Sequence, residues 1–105
     1  MPNPIVVTAV FFPAAGQYDV VAAALSPAIG AVHAEPGCLL YALHDAQNGS
    51  IVMIEKWESA ELLDAHGAGG AVANLTAALA GKLERPVEVT RLVPIPAGTA
   101  EQGQL

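Results

Sequence analysis

Residues 50–66, SIVMIEKWESAELLDAH, decide the fold. Ile51–Trp57 is an apolar run rich in β-branched residues, preceded by Asn48-Gly49, two residues that tolerate positive φ. That combination predicts a buried strand entered through a hairpin turn. Ser59 is a good N-cap and Glu61 sits in the first turn after it, which predicts a helix over Ala60–His66. His66 follows Leu62 by four residues and so shares its helix face. A lone tryptophan at a strand end and an imidazole on the next helix are thereby brought to one side of a sheet. Such a pair suits a small-molecule pocket with one group that titrates near neutrality.

Similar signals extend in both directions from this segment. Cys38–Asp45 (CLLYALHD) predicts the antiparallel partner of Ile51–Trp57, and Ile5–Phe12 (IVVTAVFF), stopped by Pro13, predicts the first strand. Between them Val21, Leu25, Ala28, Ile29 and Val32 recur at helical spacing, from a turn at Gly16 to about Ala34. Pro27 is expected to kink or split that helix, and Glu35-Pro36-Gly37 to end it. Gly67, Gly69 and Gly70 interrupt the chain after His66. A short helix over Ala71–Leu79 then ends at Gly81, and Pro86–Val93 predicts the fourth strand. The order is β-α-β-β-α-β: an α+β, ferredoxin-like fold with a four-stranded antiparallel sheet and helices on one face. One domain is expected over residues 1–98. Pro94, Pro96 and Gly98 open a tail, 99–105, expected to be loose or to lie on a partner.

Composition narrows the partners. The 105 residues are 53% hydrophobic and only 13% charged, with a net charge of −6 from ten acids against Lys56, Lys82, Arg85 and Arg91. With no basic patch, nucleic acid and anionic membrane surfaces are not expected partners. Cys38 is the single cysteine, so no intrachain disulfide forms and a thiolate zinc site lacks ligands. Ile5–Phe12 followed by Pro13-Ala14-Ala15 mimics a secretory core, but no Lys or Arg precedes Lys56, and a cytoplasmic location is expected. The strands are apolar on both faces over most of their length. A sheet covered by helices on one side should alternate to polar on the other, so a second protomer is expected to cover that side, giving a homodimer.

Each candidate residue has a bland reading beside its functional one. His66 is either a satisfied buried histidine or a general base, and Trp57 either core or a ring-stacking wall. Tyr41, central in the second strand, either fills the core or donates a hydrogen bond to a substrate oxygen. His44 lies on the opposite face of that strand with Leu40 and Ala42, lining a pocket or facing solvent. His33 falls on the polar side of the first helix. Glu55 shares a face with Trp57, and a carboxylate in an apolar strand needs a partner; Arg91 in the fourth strand is the expected one, across the sheet or the dimer. The three histidines lack helical metal-site spacing, and no carboxylate completes a two-histidine set, so a metal is not expected.

The pieces AEPGCLLYALH (34–44), SIVMIEKWESAELLDAH (50–66) and VPIPAG (93–98), in this order, resemble the antibiotic biosynthesis monooxygenase family, in particular its small quinol-monooxygenase-like members. The resemblance implies a dimeric α+β barrel in which each protomer keeps a pocket between sheet and helices. It also implies oxidation of electron-rich phenols, quinols or polyketide-like aromatics by O₂, often without metal or flavin. It carries over Trp57 as a pocket residue and His66 as the polar group of the covering helix. Family members often place a second histidine or an aromatic soon after; here GAGGAVANL follows. A haem-degrading branch uses an asparagine in the first strand, which this strand lacks. The expected function is a cofactor-independent monooxygenase with His66 as base and Trp57, Tyr41 and His44 at the substrate. The alternatives are a non-catalytic binding barrel and a non-redox isomerase or lyase using the same pocket.

Overall fold

The computed structural model describes residues 3–105, so the first two positions of the expected domain lie outside it. Seven elements follow in order: β1 (Ile5–Phe11), α1 (Tyr18–His33), β2 (Cys38–Asp45), β3 (Ile51–Trp57), α2 (Ala60–Gly67), α3 (Gly70–Leu79) and β4 (Glu88–Leu92). The strands form one antiparallel sheet in the order β2-β3-β1-β4. α1 packs on β2, α2 on β3, and α3 on α1. This is the expected ferredoxin-like α+β fold, with the second helical segment divided in two.

The strand pattern separates two faces. In β3 every odd-numbered residue is buried, from Ile51 and Met53 to Glu55 and Trp57. These pack with Val7, Ala9 and Phe11 of β1 under the helices, against Val21, Leu25 and Val32 of α1. The even-numbered residues form the open face, in rows such as Leu40–Lys56–Val6–Leu92 and Ala42–Ile54–Thr8–Thr90. On that face Val6 is buried, Ala42 and Ile54 are half-buried, and Leu92 is exposed.

Local chemistry explains where the elements depart from expectation. Pro27 neither splits nor ends α1. It is exposed, so the carbonyl it leaves without a donor faces water, while Ser26 Oγ donates to the Ala22 carbonyl at 3.0 Å. In the β2–β3 turn only Gly49 has positive φ, +86°. Gly49 N–H donates to the Ala46 carbonyl at 3.1 Å, and the Asn48 side chain accepts from Ser50 N–H at 3.0 Å and from Ser50 Oγ at 2.6 Å. Asn48 therefore acts through its side chain rather than through a left-handed backbone. β4 starts at Glu88 and not at Pro86. Residues 82–84 are tied to the end of β1 instead, by Ala14 N–H to the Lys82 carbonyl and Glu84 N–H to the Phe12 carbonyl, and Pro86 has no N–H for a ladder. Ser59 caps α2 as expected, its Oγ accepting from Leu62 N–H at 3.3 Å.

A bulge sets the face of Tyr41. Cys38 pairs with Trp57 and Leu40 with Lys56, so Leu39 is an extra residue on β2, half-exposed at the sheet edge. Beyond it, Tyr41 stands directly opposite Glu55 on the helix-covered face.

Candidate active site

Between the sheet and the two short helices lies a cavity of about 480 Å³, within the range of small-molecule sites. Its floor is Val7, Ala9 and Phe11 of β1 with Tyr41 and Glu55. Its roof is Leu63 and His66 of α2 with Val72, Leu75 and Leu79 of α3. Val87, Val89 and Arg91 stand on the remaining side, where Val89 is 63% exposed and marks the mouth. The walls are mostly apolar. The titratable groups at the closed end are Tyr41, Glu55 and His66.

These three meet because one row of the sheet lies under the last turn of α2. Leu63 and His66, one turn apart, are the buried residues of that helix. The His66 ring lies 4.5 Å from the Trp57 ring at 30° and 5.5 Å from the Tyr41 ring, edge-on. Nδ1 is 2.8 Å from Glu35 Oε1, and Nε2 is 4.0 Å from Glu55 Oε1. Glu55 Oε1 accepts from Trp57 Nε1 at 3.0 Å. An imidazole is thus held between two carboxylates, one on the buried face of the sheet and one near the surface.

Glu35 comes from the turn that ends α1, and Gly37 is what lets that turn dock. Gly37 has φ +82°, and a Cβ there would collide with the Leu62 side chain on α2. Its carbonyl accepts from Glu58 N–H at 2.9 Å, which fixes the turn to the end of β3. In the sequence Glu35 signals only the end of a helix; its place at the site comes from the fold.

Burial decides the charge states. Desolvation pushes the Glu55 carboxyl above the usual glutamate range, as does Glu35, while the Trp57 hydrogen bond and His66 hold it back in part. Burial first, then the Glu55 and Glu35 carboxylates, drive the Tyr41 phenol far above its ordinary value. Tyr41 is therefore a neutral hydrogen-bonding group in the cavity wall. Burial and the same two carboxylates also push the Cys38 thiol up, which makes it a poor nucleophile.

Three expectations need correction. Trp57 does not line the cavity: it is fully buried, and one face of its indole is occupied by His66. Alternation along β2 puts His44 on the open face, exposed, with Nδ1 3.3 Å from the Val52 carbonyl oxygen, because Tyr41 takes the cavity side. Glu55 does not pair with Arg91 within the chain. Val7 of β1 stands between them in the same sheet row, and Arg91 Nη2 donates to Asp64 Oδ1 at 2.6 Å instead. His33 lies outside the cavity, its Nε2 3.0 Å from the Tyr41 carbonyl oxygen. Among the described residues, no three His, Cys, Asp or Glu side chains are grouped to hold a metal ion. No described helix is long and apolar enough to cross a membrane.

Fold and site together define a class: a ferredoxin-like α+β protein with a ligand-sized cavity whose closed end is an imidazole between carboxylates. Residues 4–77 match the antibiotic biosynthesis monooxygenase family, and the chain belongs to that family. The matched span contains two of the three pieces on which the resemblance rests. A relative from Mycobacterium tuberculosis, named "Putative monooxygenase Rv0793", is 34% identical over 101 residues, which span 95% of this chain and 100% of the relative. The solved structure of Rv0793 superposes with a TM-score of 0.84 at 32% identity, covering 92% of this chain and 100% of the other. That of PA3566 from Pseudomonas aeruginosa gives a TM-score of 0.82 at 24% identity, over 90% and 97% of the two chains, a likeness of fold.

Proposed function

We propose that this chain is a monooxygenase that oxidises a small, planar, electron-rich phenol or hydroquinone with O₂, without a cofactor of its own. Membership of the family supports the reaction class. The observation that carries the substrate class is the cavity: apolar walls sized for an aromatic ring, with His66, Glu55 and Tyr41 at its closed end.

Ground-state O₂ is a triplet and reacts sluggishly with closed-shell molecules, but a phenolate or quinol anion can donate the first electron itself. The protein must then bind the ring, exclude water and move a proton. His66 Nε2, on the Glu55 side of the ring, is the proton acceptor in this reading, and Trp57 and Tyr41 hold the imidazole in place. The balance for a hydroquinone is dihydroxybenzene plus O₂ giving hydroxyquinone plus water. One oxygen atom enters the ring, the other leaves as water, and all four electrons come from the substrate. Glu55, held toward its protonated form by burial, is a proton donor for the oxygen that departs. In the same reading the cytoplasmic protein is a homodimer in which the apolar rows of the open sheet face meet those of a second copy.

The test is turnover of hydroquinone under isotope-labelled O₂ after dialysis against chelator. The reading expects one labelled atom in the quinone product and one O₂ consumed per substrate. Binding of hydroquinone without oxygen uptake would leave a binding protein in its place, and conversion without O₂ would leave an isomerase or lyase.

A further inference from the structure

His66 borders two separate spaces. One is the main cavity, which it lines with Glu55 and Tyr41. The other is a shallow groove on the far side of α2, lined by Glu35, Pro36, Leu62, Ala65, His66 and Gly69–Gly70. The main cavity does not reach Glu35, and the groove does not reach Glu55. Glu55 and His66 are equally buried, with side chains 7% and 6% exposed, whereas Glu35 is 24% exposed.

We propose that Glu35 and His66 form a proton exit that joins the closed end of the cavity to the surface groove, with Glu35 as the positioning and relay residue. This deepens the oxygenase reading and rests on it for its role in turnover. A ring in the cavity separates the closed end from bulk water at the Val87–Val89 mouth, so a proton lost by the substrate has to leave through a side chain. It passes from the substrate hydroxyl to His66 Nε2. The proton on Nδ1 moves to Glu35 Oε1, 2.8 Å away, and on to water in the groove. The balanced reaction releases no net proton. The same path therefore runs backward when the departing oxygen becomes water: Glu55 gives that oxygen a proton and recovers one from His66 Nε2, 4.0 Å away, while Glu35 returns one to Nδ1, which restores the imidazole's starting tautomer.

The neighbourhood of the ring fits a relay. The stacked Trp57 and edge-on Tyr41 prevent a ring flip, so the two nitrogens keep separate partners. Gly37 lets the Glu35 turn approach α2 closely. The charged groups around His66 are Glu35 from the α1–β2 turn, Glu55 from β3, and Asp64 on its own helix, which is engaged by Arg91 of β4.

The discriminating variant is Glu35→Gln, because a glutamine oxygen still accepts from Nδ1–H and holds the ring but cannot take the proton. In weakly buffered solution with hydroquinone, kcat should fall on the order of 10²-fold, the low end for a positioned proton-transfer group, with KM unchanged. Added formate or imidazole should restore kcat in a saturable way, and Glu35→Asp should recover part of it. A Glu35→Gln enzyme as fast as the parent in weak buffer, or a loss that no buffer restores, overturns the relay. A second readout is independent of turnover. Long-range proton–nitrogen spectra of the parent should place the neutral-state proton of His66 on Nδ1, and Glu35→Ala should shift it toward Nε2. An unchanged tautomer in Glu35→Ala overturns the pairing even in a protein that fails to oxidise any quinol; that failure by itself counts against the oxygenase reading.

Discussion

β3 and β4 both flank β1 in the same sheet, yet they live in different solvents. The odd-numbered residues of β3 are all buried, whereas every residue of β4 is exposed. β3 lies under α2 and is paired on both sides; β4 is an edge strand at the mouth of the cavity, followed by exposed Val93 and Ile95. The proposed chemistry sits on the buried half of the sheet, and the exposed apolar residues of β4 and the segment after it lie on the other. A fixed imidazole needs rigid walls, and the β3 half supplies them. The β4 half gives access, and its apolar residues are the ones that a second copy is expected to cover.

Substitutions on the two strands should separate these roles. The largest effect on folding is expected at Trp57. Trp57→Ala removes the largest fully buried side chain and leaves Glu55 without its donor, so urea unfolding should show a loss of roughly 3–5 kcal/mol. On the open face, Ile54→Asp should convert a dimer to monomer in sedimentation velocity while circular dichroism of the protomer is kept. A parent that sediments as a monomer at micromolar concentration would remove the role given to the open face that β3 and β4 share.

Glu55 gives a pH signature on the β3 side. Its carboxyl is raised in the folded state, so the unfolded chain ionises first as pH rises through the ordinary value of ~4.3. Stability contributed by Glu55 is therefore complete below that value and is lost as pH climbs through the raised one. Glu55→Gln should flatten that decline in a series of urea titrations. A decline of the same size in parent and variant would mean that Glu55 is not the group responsible. The smallest effect belongs to β4. The Arg91–Asp64 pair is half-exposed or more at both ends, so Asp64→Ala should cost no more than ~1 kcal/mol, and less still as added salt screens the pair.

What could be read from the sequence is what depends on neighbours along the chain. The Ser59 cap, the break after His66 and the alternation that buries Glu55 with Trp57 are local patterns, and they place His66 over the sheet. The remainder is set across distance. Glu35 meets His66 from 31 residues away, and only because Gly37 lets a turn touch Leu62. The fragment AEPG carries that arrangement without displaying it. Charge complementarity suggested Arg91 for Glu55, but the sheet order puts Val7 between them. Alternation gives Trp57 a face but no depth, so a wall of the cavity and a place beneath His66 look alike in the sequence; the ring lies beneath His66. The bulge at Leu39, which sets the side on which Tyr41 lies, leaves no mark in composition or period.

The central claim is that His66 removes a proton from a substrate in the cavity. Its most direct test is oxygen uptake with hydroquinone by the parent and by His66→Ala, after both are shown to share fold and assembly state. Loss of a positioned base predicts a fall in uptake of roughly 10²–10⁴-fold for the variant. Uptake by His66→Ala at the parent rate across the pH range would make His66 a packing residue and contradict the account.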